Sequence, residues 1–377
     1  MTHPLPFPSM PRRPSPRSRG AGWAAVLLLG LAGLLAGCAA TPPAWYDAGK
    51  RHHRPDGFVN PYGPTIDKSI GDLVAWRWRA WREDLPAAPS AVIAGYQGFE
   101  VMRPDLAALA AMPPQRTLTW IGHATAWLQL GGLNVLTDPH FSERASPFRS
   151  LGPRRRVALP VELDQMPRID LVVLSHNHPD SLDEATVARL RGQAGGPPLF
   201  LVPLGLKAWF EARGIDTVRE LDWWDETRVG ELRVWFVPAQ HWSARSLTDR
   251  NESLWGGWVI QDAQDYRVWF AGDSGYTRDF AEIGARFGGV DLALLPVGAY
   301  EPRWFMAQAH VNPDEAVKAH LDVRSRLSIG IHWGTFELTD EPLDQPITDL
   351  AAALARYQVA PSSFRLLRHG ETLRLTQ

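Results

Sequence analysis

From Thr117 onward, short apolar runs first follow one another and then alternate with helical patterns, and four of these runs stop at a histidine or an aspartate. Strands are expected over 118–121, 126–130, 133–137, 171–175, 199–203, 232–237, 257–261, 268–271, 292–296 and 327–331, all rich in Val, Leu, Trp and Phe. Helical patterns fit 183–191, 206–213, 278–287, 312–321 and 349–357. Gly214 reads as a stop after Arg213. Asn312-Pro313-Asp314-Glu315 reads as an N-cap with proline at the first helical position and acids in the first turn. Strands in succession followed by strands separated by helices predict an α/β domain, a mixed sheet covered by helices.

The most informative strand end is Asp170-Leu-Val-Val-Leu-Ser-His176-Asn-His178-Pro-Asp180-Ser181-Leu-Asp183. Positions i and i+2 of an extended segment face the same side, so both imidazoles can reach one ion beyond the strand, with Asp180 following closely. Imidazole and carboxylate suit Zn²⁺, and the lone cysteine leaves no thiolate cluster to bind it. His241 follows Val234–Gln240, Asp273 follows Val268–Gly272, and His332 follows Ile329–Ile331. Gly272 and Gly275 are expected to let the backbone turn close to an ion. Any one of these residues alone would read as a hydrogen-bonded turn residue; four strand ends together point to a metal site.

Composition narrows the partners. With 39 basic and 41 acidic residues, the chain lacks the basic excess of a nucleic-acid-binding domain, so no nucleic acid is expected. Residues 1–37 read as a targeting segment: Arg12, Arg13, Arg17 and Arg19 precede an uncharged run, Ala21–Leu35. That run spans about 22 Å as a helix, short of a ~30 Å hydrocarbon core. Leu35-Ala36-Gly37-Cys38 resembles a bacterial lipobox, with Cys38 the lipidated residue; the other reading is an ordinary secretory signal with a chance cysteine. Met10 is an alternative start. Cleavage before Cys38 removes four arginines and no acid, taking net charge from −2 to −6. The acyl chains would hold the protein on a membrane. Ala39 resembles the outer-membrane sorting pattern, so a lipid-anchored envelope protein facing the periplasm is expected.

Residues 38–115 read as a tether and wrapping arm, punctuated by Pro42, Pro43, Pro55, Pro61, Pro64, Pro86, Pro89, Pro104, Pro113 and Pro114. Within it Trp76, Trp78 and Trp81 alternate with Arg77, Arg79 and Arg82. This suits a membrane interface, or tryptophans packed on the domain under arginine stems.

The order HxHxD…H…D…H resembles the metallo-β-lactamase fold, and the flanking words resemble its N-acyl-phosphatidylethanolamine-hydrolysing phospholipase D-like branch. The matching words are Thr119–Thr125, Leu133–Pro139, Pro238–Ser243, Phe270–Tyr276, Gly298–Met306, His310–Ala316 and Ile331–Phe336. The resemblance implies an αββα sandwich over 116–377 with a two-zinc site on one edge. It also implies hydrolysis of a phosphodiester next to a lipid amide headgroup by metal-bound hydroxide. Carried over, His176, His178 and His241 hold one zinc, Asp273 bridges, and Asp180 and His332 hold the second. The family motif has a third histidine where this chain has Ser181. The expectation is therefore two zincs, or one if that position is short of a ligand. Asp183 is no substitute, since the family has an acid there too.

Further expectations concern other residues of these words. Asp180 orients the nucleophile or takes its proton. His310 hydrogen-bonds a substrate phosphate or holds a turn. Tyr300, Glu301 and Arg303 bind substrate, and His123 and Asp138 orient zinc-bound imidazoles. Arg154–Arg156 contact anionic headgroups or form a solvated loop. His52, His53, His140, His320 and His369 receive no role. Three functions follow: a membrane-anchored lipid phosphodiesterase, a zinc hydrolase of a small soluble ester, lactone or phosphodiester, or a non-catalytic envelope lipoprotein with a degenerate metal site. The sequence leaves oligomeric state open.

Overall fold

In the computed structural model of the chain the described residues are 42–63, 66, 68–86, 99–111, 115–148, 150–246 and 248–375. The expected signal segment 1–37 and Cys38 lie outside them. One compact unit runs from Trp45 to Gln377.

Its start is pinned by a buried carboxylate. A short hairpin, β1 (His53–Arg54) and β2 (Gly57–Phe58), stacks Phe58 on Trp45 at 4.3 Å. Asp222 then receives His52 Nε2 at 2.6 Å, His53 Nε2 at 3.0 Å and the ammonium of Lys50. Charge and hydrogen bonding hold the Asp222 carboxyl well below its usual range despite burial. Both histidines thus have a structural task that the sequence reading did not assign.

The Trp/Arg segment is a helix, α1 (Ile70–Arg82), and not the irregular arm expected from its prolines. The cause is local: Ser69 accepts from the Asp72 amide while Asp72 reaches back to Ser69, a capping box. Its tryptophans divide between the two readings. Trp76 is buried, donates to Asp340 at 2.8 Å and packs on Phe305 at 4.9 Å. Trp78 and Trp81 are 62% and 72% exposed. A five-residue helix, α2 (Leu106–Ala110), precedes the sandwich.

The first layer begins as a meander: β3 (Arg116–Gly122), β4 (Thr125–Leu130) and β5 (Leu133–Thr137). Gly131 and Gly132 both take positive φ, as a two-residue primed hairpin turn demands. Parallel strands extend it: β6 (Leu171–Val173), β7 (Leu199–Pro203) and β8 (Val218–Leu221), with α3 (Glu184–Arg191) and α4 (Lys207–Glu211) as crossovers. The second layer repeats this plan. Antiparallel β9 (Glu226–Val229), β10 (Leu232–Val237), β11 (Gly257–Gln261) and β12 (Arg267–Phe270) come first. Parallel β13 (Val290–Pro296), β14 (Ser325–Ile331) and β15 (Phe364–Leu366) follow, with α5 (Asp279–Phe287) leading into β13, and α6 (Arg303–Met306), α7 (Pro313–Asp322) and α8 (Gln345–Tyr357) between the three. The last strand, β16 (Thr372–Leu375), returns to pair with β3. The orders are β16-β3-β4-β5-β6-β7-β8 and β15-β14-β13-β12-β11-β10-β9.

The fold is the expected αββα sandwich. Leu118, Trp120, Leu128 and Val173 of one layer share a core with Val234, Phe236, Trp258 and Val268 of the other. Ile121, Trp127 and Val172 face outward onto Val187, Leu190 and Phe210 of the first layer's helices. Near-continuous burial along β3, β4 and β13 is what strands covered on both faces require. The arrangement sends the ends of β6, β10, β12 and β14, and the β3–β4 turn, to one edge.

Candidate metal centre

Three imidazoles converge first. His176 Nε2 lies 2.8 Å from His178 Nδ1, which lies 3.3 Å from His241 Nε2. Neighbours decide which ring nitrogens carry protons. His241 Nδ1 donates to the Ala309 carbonyl at 2.9 Å, leaving Nε2 with its lone pair. Ser175 donates its hydroxyl to Asp138 at 2.5 Å and accepts from His176 Nδ1 at 2.8 Å, so His176 Nε2 is bare as well. His178 Nε2 is buried without a partner. His178 Nδ1 faces both of these bare nitrogens, so the trio is held together either by that atom's own proton or by a cation shared among the three. Burial lowers His178 to about 3 and holds His241 well below its usual value, so protons do not supply that cation.

A second group adjoins the first through Asp273, whose Oδ2 lies 3.9 Å from His176 Nε2 and 3.1 Å from His332 Nε2. His332 Nε2 is 3.5 Å from Asp180 Oδ2, and His123 Nε2 approaches that same oxygen at 3.2 Å. Burial lowers the His332 imidazole, but Asp273 and Asp180 outweigh it and raise the group to about 10. Burial opposes ionisation of Asp180 and Asp273, yet the surrounding imidazoles hold both well below the usual carboxylate range. The donor sets His176/His178/His241, His123/Asp180/His332 and His241/Asp273/His310 each fall within 4.8 Å. Imidazole and carboxylate donors in this number fit divalent ions.

Backbone strain gathers at the same edge: His123, Asp138, Ala299 and His332 all have positive φ. Gly272 and Gly275 bring chain close to chain at this edge. A Cβ on Gly272 would meet Ser175 Cβ at 2.5 Å, and one on Gly275 would meet the Gln308 carbonyl at 2.3 Å.

The structure thus brings His176, His178, Asp180, His241, Asp273, His310 and His332 together. Asp138 reaches the centre only through Ser175, whose amide it also accepts at 2.7 Å. His123 faces Asp180, where sequence reasoning expected a partner to an imidazole. Tyr300, Glu301 and Arg303 do not point at the donors. Tyr300 is buried and donates to Asp349 at 2.5 Å, and Glu301 accepts the Arg303 amide at 2.9 Å. Arg303 binds Glu315 at 2.7 Å and the His310 carbonyl at 2.9 Å, so it positions His310 from behind. Asp183 caps α3 and is occupied by Ser142 and Thr186. Arg154 pairs with Glu143 and Arg156 with Glu337, while half-buried Arg155 donates to the His140 carbonyl. Within the fold this triplet is a brace.

Sequence reasoning missed Lys68. Its ammonium lies 4.0 Å from the Phe305 ring and 3.9 Å from Met306 Sδ, and no carboxylate pairs with it among the described residues. Burial, then Arg250, lower it to about 8, and its charge is felt by His310.

Comparison with known proteins agrees with this geometry. Residues 133–333 match the beta-lactamase superfamily domain. The chain is 42% identical over 295 residues to an uncharacterized protein of Mycobacterium tuberculosis, covering 77% of this chain and 75% of that one. It is 41% identical over 266 residues to N-acyl-phosphatidylethanolamine-hydrolyzing phospholipase D 1 of Caenorhabditis elegans, covering 67% and 74%. Among solved structures, isothiocyanate hydrolase from Delia radicum gut bacteria superposes with a TM-score of 0.54 at 21% identity, covering 68% of this chain and 98% of that one, a likeness of fold. The chain belongs to the beta-lactamase superfamily, with N-acyl-phosphatidylethanolamine-hydrolysing phospholipase D among its relatives, and is a metal-dependent hydrolase.

Proposed function

We infer that this hydrolase is a zinc-dependent phosphodiesterase of the phospholipase D kind, acting on N-acyl-phosphatidylethanolamine-like lipids at a membrane surface. The observation that carries the reading is the link from metal donors to a lipid-suited face. Lys68 stands over Phe305, Phe305 packs on Trp76, and Trp76 belongs to the helix that exposes Trp78 and Trp81. A cation that no carboxylate pairs with among the described residues, and whose charge is felt by His310, suits a phosphodiester anion, and exposed tryptophans with Arg77 and Arg82 suit anionic headgroups.

His176, His178 and His241 would hold one zinc, and Asp180 and His332 a second, with Asp273 between them. Zinc supplies Lewis acidity, which polarises a phosphoryl oxygen and acidifies water. The chain's own part is to fix those donors, to place the Lys68 charge beside them, and to offer Asp180 and His310 to move or hold a proton. His310 Nδ1 is buried without a partner and so is available to substrate. A lipid anchor on Cys38, in the bacterial envelope and facing the periplasm, would keep the site at its substrate.

The test is turnover of N-acyl-phosphatidylethanolamine vesicles against a soluble bis-aryl phosphodiester, with His176→Ala as the blank. Preference for the vesicles supports the reading. Turnover of only the soluble ester identifies a small-molecule hydrolase, and turnover of neither by zinc-loaded protein defeats the phosphodiesterase.

A further inference from the structure

Ser181 leaves the second metal position one imidazole short, and the fold shows what stands there instead. Ser181 is fully buried, with its hydroxyl beside Asp138. Asp183 is spent on capping α3. His140 packs on Phe336 at 5.0 Å and joins no donor group. Among the described residues, the imidazole grouped with Asp180 and His332 belongs to His123.

The distances are those of ligands and not merely of neighbours. Donors about 2.0–2.1 Å from a tetrahedral zinc stand roughly 3.3 Å from one another. Here His123 Nε2 to Asp180 Oδ2 is 3.2 Å, Asp180 Oδ2 to His332 Nε2 is 3.5 Å, and His332 Nε2 to Asp273 Oδ2 is 3.1 Å. The His123 and His332 rings stand 4.0 Å apart, near the 4.4–5.1 Å spacings within the His176/His178/His241 trio. His332 Nε2 faces the Asp180 and Asp273 carboxylates at 3.5 and 3.1 Å without a well-aligned hydrogen bond to either, as a nitrogen aimed at a point between them would.

The local backbone is built to hold His123 in place. It sits in the two-residue turn just beyond the register shift between Trp120 and Gly122, with φ +52°. Its amide donates to Thr335 Oγ1 at 2.8 Å, and its carbonyl accepts from Trp120 Nε1 at 3.0 Å and from the His332 amide at 2.9 Å. A surface turn with a chance histidine needs none of this.

We propose that His123, from the β3–β4 turn, ligates the second metal with Asp180, Asp273 and His332, in place of the imidazole that Ser181 lacks. The proposal rests on the two-metal reading given above and extends it to this chain's own departure from the family motif.

The test counts metal in the whole protein, by elemental analysis after dialysis against zinc. Wild type should hold two equivalents. His123→Ala should hold one, its second equivalent weakened by more than ~100-fold, beyond the 10–100-fold expected from losing a mere orienting group. Adding Ser181→His to that variant should restore the second equivalent, because an imidazole returns to the site from the other side. His123→Asn, which tolerates the left-handed backbone, serves if His123→Ala loses both metals through misfolding. Retention of two equivalents by either variant overturns the proposal. So does a 10–100-fold weakening that Ser181→His does not repair, which would make His123 only a holder of Asp180. A wild type with one equivalent overturns it while leaving a one-metal hydrolase, and a wild type with none defeats the functional reading as well.

Discussion

His332 donates its amide to the carbonyl of His123 at 2.9 Å, so the β3–β4 turn and the end of β14 hold each other while both rings face Asp180. Thr335 reinforces the pair by accepting the His123 amide at 2.8 Å. Thr335→Val leaves that buried N–H without an acceptor. It should cost about 1–3 kcal/mol in denaturant unfolding. It should also weaken metal retention measured by chelator competition.

Asp222 should decide whether the N-terminal segment stays docked. Asp222→Asn strands Lys50, His52 and His53 against a neutral amide and should cost ~3 kcal/mol, read from urea midpoints. The pH dependence has a definite sign. The folded-state pKa lies below the ordinary 3.8, so the contribution is complete above that value and is lost as pH falls through the folded one. The wild-type advantage over Asp222→Asn should therefore persist at pH 5–7 and shrink on acidification below pH 4.

Ser175 passes the Asp138 carboxylate's orientation on to His176. Ser175→Ala should lower affinity for a metal held by His176 by about 10–100-fold, in chelator competition, with little change in helix content by circular dichroism.

Lys68 should act on binding of anionic substrate. Its pKa of about 8 means that the ammonium is lost as pH rises through that value. KM for an anionic phosphodiester should climb above pH 8 while kcat changes little. Lys68→Gln should raise KM roughly tenfold at pH 7 and abolish that climb.

The exposed face of α1 should govern vesicles and not chemistry. Replacing Trp78 and Trp81 together by serine should reduce partition onto anionic vesicles by at least about tenfold. The rate on a soluble phosphodiester should be unchanged. An equal loss on both substrates would make the two indoles structural.

Much of this was legible because burial writes itself into composition. Leu199–Pro203 is apolar along its whole length and Leu232–Val237 is broken only by Arg233, as strands covered on both faces must nearly be, and the structure returns both with the expected bounds. Asn312 caps α7 with the predicted proline and acids. Short edge strands were not legible: Val218–Leu221 and Glu226–Val229 carry charges and are half exposed, so they lack the apolar signal. Helix α1 was hidden by a Trp/Arg alternation with the period of a strand, although its cap, Ser69 and Asp72, stood in the sequence. The donor residues could be named from strand ends. The use of Tyr300 and Arg303 as internal struts could not, since Asp349 and Glu315 become their neighbours only when α7 and α8 pack. Lys68 had no motif to announce it; what singles it out is that no carboxylate pairs with it among the described residues.

His176 leaves the first layer and Asp273 leaves the second, and their donor atoms are 3.9 Å apart. An ion gripped by both would rivet the two halves of the sandwich at their open rim. Parting the layers there would then require letting go of metal, so with an ion in place, loss of the ion and opening of this rim would go together.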